Sequence, residues 1–376
     1  MSEFAAGPAG RIERVRALMA ERGYDAIVVR DEANLRWLTG VKGVFDYTFE
    51  FPHAAFITAD QCLFHTDSRY LNSFEENTSA GSPWVYDMDE GTIPGWVAGK
   101  IAANKCRVCA IEDDMQINFY QGIQRGLEDR SVACMLPLMH DDIRKMRAIK
   151  DAEEIELMRH AQSITDAAFQ HMLGYIKPGM TEKQVRNELE NFMFANGADS
   201  LAFGSIVASG PNTANPHAVP SDRVIEKGDF VLMDYGAGYC DYRSDMTRTV
   251  VMGEPTQEQL DLYALVRRTH EECVAAIHPG VEGNDIFKLS KKIIGDAGYG
   301  DYYNHGLGHG VGIDIHELPN FNRSKNIIEV GSVFTMEPGV YLPGVGGVRL
   351  EDYGVVTENG YEPFTKTPHD LQVIDC

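Results

Sequence analysis

Between Arg11 and Arg22 the apolar residues Ile12, Val15, Leu18 and Met19 recur at helical spacing, and Gly23 follows directly. That spacing predicts an amphipathic helix closed by a glycine. The pattern then shortens. Ala26-Ile27-Val28-Val29, Ala54-Ala55-Phe56-Ile57-Thr58, Cys62-Leu63-Phe64 and Val108 to Ile111 are brief apolar runs, with another near Val85. Such runs predict strands, and their alternation with helical stretches predicts an α/β unit ending near residue 140. Residues 141 to 154 are charged; behind them Ile155, Met158, Thr165, Ala168, Phe169 and Met172 return to helical spacing. This stretch reads as a helical connection between two domains, expected at 8–142 and 151–376. A chain of 376 residues is too long for one comfortable core.

The second half repeats itself. Ile176-Lys177-Pro178-Gly179-Met180 returns as Ile277-His278-Pro279-Gly280-Val281, and Val185 with Ile286, and Gly197 with Gly298, keep the same offset. Both copies read as a helix end, a Pro-Gly turn and a second helix stopped by glycine. Further on, Glu226 to Gly236 aligns with Glu329 to Gly339 at nearly that offset. Each is a turn and then an apolar strand ending in an acid, Asp234 in one and Glu337 in the other. Two copies are too few for a solenoid. They predict one α+β unit duplicated about an approximate two-fold axis, with Asp234 and Glu337 facing each other.

Composition narrows the setting. The formal charge is −22 with no basic stripe, so nucleic acid is not an expected partner. Seven scattered cysteines in a chain of this size point to a reduced, cytoplasmic protein. The lone pair Cys106 and Cys109 lies in an apolar run read as a strand, and a structural role is expected for it rather than a redox or zinc role. Met1 to Gly7 has neither a basic start nor an apolar run, and no segment is apolar for long enough to span a membrane.

An acid that ends an apolar strand is costly to bury unless it is paired or bound to a metal. Here the arrangement occurs twice. Asp245 follows Asp234, and Glu351 follows Glu337, each across a glycine-containing turn and at a distance suited to a hairpin. A return strand then sets the second acid beside the first, which gathers four carboxylates. The glycine-rich stretch His305 to Glu317 supplies an imidazole from among His305, His309 and His316. Such a hard, oxygen-rich set suits Mn²⁺, with Co²⁺, Zn²⁺ or Fe²⁺ as alternatives. So many carboxylates accommodate two ions better than one, and two ions about 3.5–4 Å apart can share a hydroxide.

These residues together resemble the pita-bread metallopeptidases, which include methionine aminopeptidase, prolidase, aminopeptidase P and creatinase. The resemblance runs over nearly the whole chain and is strongest to bacterial Xaa-Pro peptidases. It is carried by Asn34 to Gly40 and Thr66 to Tyr70 in the first half. In the second it is carried by Ser209 to His217, Asp234-Tyr235-Gly236, Asp245-Met246-Thr247-Arg248-Thr249, His305 to Glu317, Met336-Glu337-Pro338-Gly339 and Arg349-Leu350-Glu351-Asp352. The implied fold is α+β: an N-terminal creatinase-type α/β domain, then a pseudo-two-fold pita-bread catalytic domain. The implied ligands are Asp234, Asp245, His309, Glu337 and Glu351, with Asp245 and Glu351 bridging two ions. The implied reaction is attack of a metal-activated hydroxide on the bond between an N-terminal residue and proline in a short peptide. Glu337 would move the proton, His217, His305 and His316 would meet the substrate or the tetrahedral intermediate, and Arg349 would orient a bridging carboxylate or a histidine. A satisfied structural place behind the ligands is the plainer alternative for each histidine.

The chain departs from the pattern in Phe45-Asp46-Tyr47-Thr48-Phe49-Glu50-Phe51, which is longer and more aromatic than the turn expected there. Altered specificity and ordinary loop packing are both open for it. Amidohydrolases of the same fold, acting on a non-peptide amide, are the second reading. Loss of ligands would mark a non-catalytic binding module, and all five are present. The extra N-terminal domain argues against methionine aminopeptidase. A homodimer or higher homo-oligomer is expected from the resemblance, and Trp37, Trp84 and Trp96 in the first domain are read as core or as interface.

Overall fold

The computed structural model describes residues 7–42, 52–88, 91–323 and 325–376, so the aromatic segment from Phe45 to Phe51 lies outside the described residues. The chain forms two compact units, Met1–Arg147 and Ala148–Cys376.

The first unit is built on a mixed sheet ordered Val85–Asp87, Cys62–His65, Ala54–Thr58, Ala26–Val29, Cys109–Ile111. Ala26–Val29 runs antiparallel to Ala54–Thr58 and parallel to Cys109–Ile111, and every residue of it is buried. A central strand covered on both faces has to be apolar throughout, which explains the unbroken Ala-Ile-Val-Val run. Trp96, Val97 and Ile101 from the helix Ile93–Ala103, and Ile123 from Ile117–Asp129, pack with Val28, Phe56 and Ile111 of the sheet. Trp37, Trp84 and Trp96 are all buried, so the core reading holds for each within this unit. The Cys106–Cys109 pair is buried, but only Cys109 lies in a strand. The strand begins only at Cys109, both thiols are free and buried, and burial pushes Cys106 up to about 11 and Cys109 well above the usual range. Thiols so protonated are packing groups.

The charged connection is two helices rather than one. Asp142–Ala148 stops, and Ala152–Tyr175 starts afresh at a capping box in which Asp151 and Glu154 each accept from the other's backbone N–H. Between them Ile149 pairs with Ser332, and the Lys150 N–H donates to Gly331 O at 2.9 Å. Those bonds take the backbone out of helical register.

In the second unit the repeat is visible element by element. The helices Ala152–Tyr175 and Glu182–Ala195 correspond to Gln257–Ala275 and Gly283–Asp296. Gly179 and Gly280 have φ of 93° and 88°, in the left-handed region that the Pro-Gly turn needs. Their N–H groups donate to equivalent partners, Ile225 O and Ile328 O. The strands Ile206–Ser209, Phe230–Tyr235 and Met246–Met252 form one antiparallel sheet, extended by Val373–Ile374. Gly308–Gly310, Val333–Met336 and Asp352–Thr357 form the other, extended by Glu317–Phe321 and Gly360–Pro363. Each helix pair covers its own sheet. Phe169, Met172, Val185 and Leu189 pack with Val231 and Met233, while Cys273, Ile277 and Ile286 pack with Phe334 and Met336. No helix among the described residues is long and apolar enough to cross a membrane.

Candidate metal centre

The acids enter at equivalent places in the two sheets. Asp234 lies near the end of Phe230–Tyr235, and Met246–Met252 returns antiparallel with Thr247 opposite Asp234. Asp245 therefore stands just before the return strand. Glu337 follows Val333–Met336, Asp352–Thr357 returns with Asp352 opposite Met336, and Glu351 stands just before it. The long spacing between the acids of each copy holds a smaller hairpin, Ala237–Tyr239 with Tyr242–Arg243 in one and Gly339–Leu342 with Gly346–Arg349 in the other. His309 is the middle residue of Gly308–Gly310, between Glu317–Phe321 and Val333–Met336. Gly308 is required there, because a Cβ would overlap the Thr335 carbonyl.

These residues meet in one place. One ligand atom each from Asp245, His309 and Glu351 lie within 4.8 Å of one another. His309 Nε2 is 3.6 Å from both Asp245 Oδ2 and Glu337 Oε1. Its other nitrogen, Nδ1, lies 3.1 Å from Gly310 O, so the proton belongs on Nδ1 and the Nε2 lone pair faces the carboxylates. Burial lowers His309 to about 4, which keeps the ring neutral and able to ligate. Arg349 carries the cation of the cluster. Its Nη2 donates to Asp234 Oδ2 at 2.5 Å, its Nε to Thr247 Oγ1 at 3.0 Å, and its Nη1 to the Tyr341 hydroxyl at 2.9 Å. Thr247 Oγ1 donates in turn to Glu351 Oε2 at 2.6 Å. One guanidinium thus orients Asp234 directly and Glu351 through a hydroxyl.

The donor set is unsatisfied without cations. Asp234 Oδ1 and Asp245 Oδ1 are buried with no hydrogen-bond partner. Burial, with repulsion from the neighbouring carboxylates, pushes Asp245 and Glu351 well above the usual carboxylate range. Glu337 and Asp234 are also raised, chiefly by burial, against the pull of Arg349. Buried carboxylate oxygens without donors, with four carboxylates to one arginine, fit divalent ions.

A cavity of about 680 Å³ opens over the cluster, within the usual span of about 300–1,000 Å³ for small-ligand sites. His217, His305 and His316 line it, and Phe203, Ile206 and Ile315 give it apolar wall. The three histidines differ. The exposed His217 stands on the loop after Ser209. His316 packs against His309 with ring centroids 4.2 Å apart. His305 is engaged at both nitrogens, Nδ1 with Gly306 O at 2.7 Å and Nε2 with the Tyr341 hydroxyl at 2.9 Å. It ends a chain running through Tyr341 and Arg349 to Asp234. Little in the sequence singles out Thr247 or Tyr341, because Thr247 meets Glu351 and Arg349 across the two copies and Tyr341 meets His305 from a separate segment. The only signal for Thr247 is its place two residues after Asp245, in Asp245-Met246-Thr247.

A second group, His270, Asp352 and His369, also gathers within 4.8 Å. Its one carboxylate is already paired, since Arg248 Nη2 donates to Asp352 Oδ1 at 2.7 Å and His369 Nε2 lies 2.6 Å from Oδ2. Arg248 also donates to Glu351 O at 2.6 Å and Thr247 O at 3.0 Å, so this group braces the strand ends behind the cluster.

Paired carboxylate hairpins meeting at one histidine beneath a cavity define a metal-dependent hydrolase. The chain belongs to metallopeptidase family M24, whose model matches residues 156–358, and the creatinase/prolidase N-terminal domain matches residues 11–149. It is 41% identical over 362 residues to an Xaa-Pro dipeptidase of Pyrococcus horikoshii, covering 96% of this chain and 98% of that protein. An Xaa-Pro dipeptidase from Bacillus anthracis matches with a TM-score of 0.89 and 36% identity over 98% of this chain and 100% of that one. An X-Pro aminopeptidase from Thermotoga maritima matches with a TM-score of 0.85 and 30% identity over 97% and 100%. The protein is therefore a metal-dependent peptidase with a creatinase-type N-terminal domain and the pita-bread α+β fold.

Proposed function

We propose that this enzyme hydrolyses the bond between an N-terminal residue and proline in short peptides. Asp234, Asp245, His309, Glu337 and Glu351, from the catalytic domain at 151–376, would hold two divalent ions, Mn²⁺ for preference. The observation that carries this reading is that all five residues line one cavity, with the buried Asp234 Oδ1 and Asp245 Oδ1 left without hydrogen-bond partners. The names of the relatives, Xaa-Pro dipeptidase and X-Pro aminopeptidase, support the substrate.

When bound, such a pair would supply Lewis acidity toward the scissile carbonyl and a nucleophilic water at neutral pH. The chain's own groups do the rest. Glu337 takes the proton from the attacking water and passes it toward the leaving nitrogen. That nitrogen is the ring nitrogen of proline, a tertiary amide, which has to be protonated to leave. His217 and His316, on the cavity wall, hydrogen-bond the developing oxyanion and the leaving group. Arg349 keeps Asp234 and, through Thr247, Glu351 in fixed orientation, while His305 buttresses Tyr341. The apolar wall of Phe203, Ile206 and Ile315 accepts the prolyl ring and excludes water. Seven free cysteines support a reducing compartment, and we place the enzyme in the cytoplasm as a homodimer or higher homo-oligomer, with an N-terminal domain at 8–142.

The test is a substrate panel. Metal-stripped protein, with and without Mn²⁺, is given Ala-Pro, Ala-Pro-Ala, Ala-Ala-Ala, creatine and an N-acetylated diamine. Cleavage restricted to the proline peptides, and only with metal, is expected. Turnover of creatine or the diamine without any cleavage at proline, under every metal tried, would replace this reading with an amidohydrolase.

A further inference from the structure

His217 reaches the cavity on the loop from Ser209 to Ser221, and one carboxylate closes both ends of that loop. Glu182 is the first residue of the helix Glu182–Ala195 and is 1% exposed. Its Oε1 accepts from the Ser209 backbone N–H at 2.7 Å, from Ser209 Oγ at 2.9 Å and from Asn212 Nδ2 at 3.0 Å. Its Oε2 accepts from the Ser221 backbone N–H at 2.9 Å and from Ser221 Oγ at 2.6 Å. An ionised carboxylate is an acceptor only, so five donors suit it and no neutral side chain of its shape can replace it. Burial opposes the charge, but the bonds from Ser221, Asn212 and Ser209 outweigh it and hold the carboxyl below its ordinary range. The helix N-terminus favours the same charge.

The loop is held from its other side as well. Gly347 N–H donates to Thr213 Oγ1 at 2.7 Å, and Arg349 Nη1 donates to Pro216 O at 3.3 Å, which ties the loop to the hairpin preceding Glu351. Arg223 Nη1 adds a bond to Ser209 Oγ at 2.6 Å while pairing with Asp229. His217 is fixed through its backbone N–H, which donates to Asn215 Oδ1 at 3.2 Å. The place of its imidazole therefore follows the place of the loop.

We infer that Glu182 is a positioning residue for His217: it sets the loop so that the imidazole stands over the carboxylate cluster, and its effect on the reaction passes through that histidine. This rests on the reading of His217 as a group that meets the substrate. A displacement of about 1 Å in such a group costs up to about a hundredfold in rate.

The experiment is a double-mutant cycle on Mn²⁺-loaded full-length enzyme with Ala-Pro and Ala-Pro-Ala. In Glu182→Gln an amide donor replaces an acceptor among five donors. Its kcat/KM is expected to fall about 10–100-fold, with bound metal unchanged and faster amide exchange confined to residues 209–221. In the His217→Ala background the same change is expected to cost less than about threefold, because the group it positions is gone. Losses that multiply in the double mutant, or wild-type kcat/KM in Glu182→Gln, overturn the inference. Where Glu182→Gln does not fold, Ser221→Ala, which removes one donor, is taken through the same cycle. A His217→Ala enzyme with unchanged kcat/KM would overturn the reading of His217 itself, a result distinct from multiplying losses.

Discussion

Arg349→Lys isolates orientation from charge at the metal centre. Arg349 is 3% exposed, and its fork reaches Asp234, Thr247 and Tyr341. Lysine keeps the positive charge but offers one nitrogen on a flexible stem, so it cannot serve those three partners at once. The bond most exposed to loss is the one to Thr247, which aligns the hydroxyl that donates to Glu351. A hydrogen bond to a charged group contributes about 1.5–3 kcal/mol. Loosening the partner of a ligand weakens metal binding about 10–100-fold, and at about 1.4 kcal/mol per tenfold that is the same range. The two routes agree. Calorimetric titration of metal-stripped Arg349→Lys with Mn²⁺ is therefore expected to show both ions still binding, with affinity down about 10–100-fold. Thr247→Val should reproduce part of the loss. Wild-type affinity in a folded Arg349→Lys protein would refute the claim that the guanidinium orients the ligands.

Three further outcomes are expected from the same structure. Asp245→Ala and Glu351→Ala each remove an acid that the cluster places beside His309, and each should abolish Ala-Pro cleavage in a steady-state assay; full activity in either would remove the paired-ion site. Lys150→Met removes the 3.0 Å ion pair to the largely buried Glu317 side chain, which keeps the Asp314 N–H, and should cost about 3–5 kcal/mol in urea unfolding; a loss below about 1 kcal/mol would class the pair with surface ion pairs. Burial lowers His270 to about 4. The unfolded chain takes up that proton below its ordinary 6.5 and the native protein only below about 4, so stability is complete above 6.5 and falls as pH drops toward 4. The full window is worth about 3 kcal/mol. His270→Leu, compared with wild type in metal-free buffer, should flatten that decline, and parallel curves would show that His270 does not contribute to it.

The candidate centre is legible in the sequence because its carboxylates break a rule. An acid ending an apolar strand is conspicuous, and Asp234 and Glu337 do so at equivalent places in a repeat that the structure reproduces in helices, turns and sheets. The return strands follow from spacing alone, although the inserted hairpins Ala237–Arg243 and Gly339–Arg349 do not, since the same spacing is met by one plain loop. What could not be read is the second layer. Thr247 and Tyr341 look like ordinary strand residues until the fold sets them beside Glu351, Arg349 and His305. Glu182 looks like a first-turn acid of a capped helix, and only tertiary contacts show it closing a loop. Arg349 was expected to orient a bridging carboxylate or a histidine; its direct carboxylate partner is Asp234, and it reaches Glu351 and His305 through hydroxyls. The break between Ala148 and Asp151 was hidden because charged residues suit a continuing helix equally well.

The central claim is tested most directly by titrating metal-stripped enzyme with Mn²⁺ while bound metal and Ala-Pro cleavage are followed in the same samples. Two ions are expected to bind per chain, with cleavage absent at the start and returning as they bind. Fewer than one ion bound in excess Mn²⁺, or full cleavage before any is added, would contradict it.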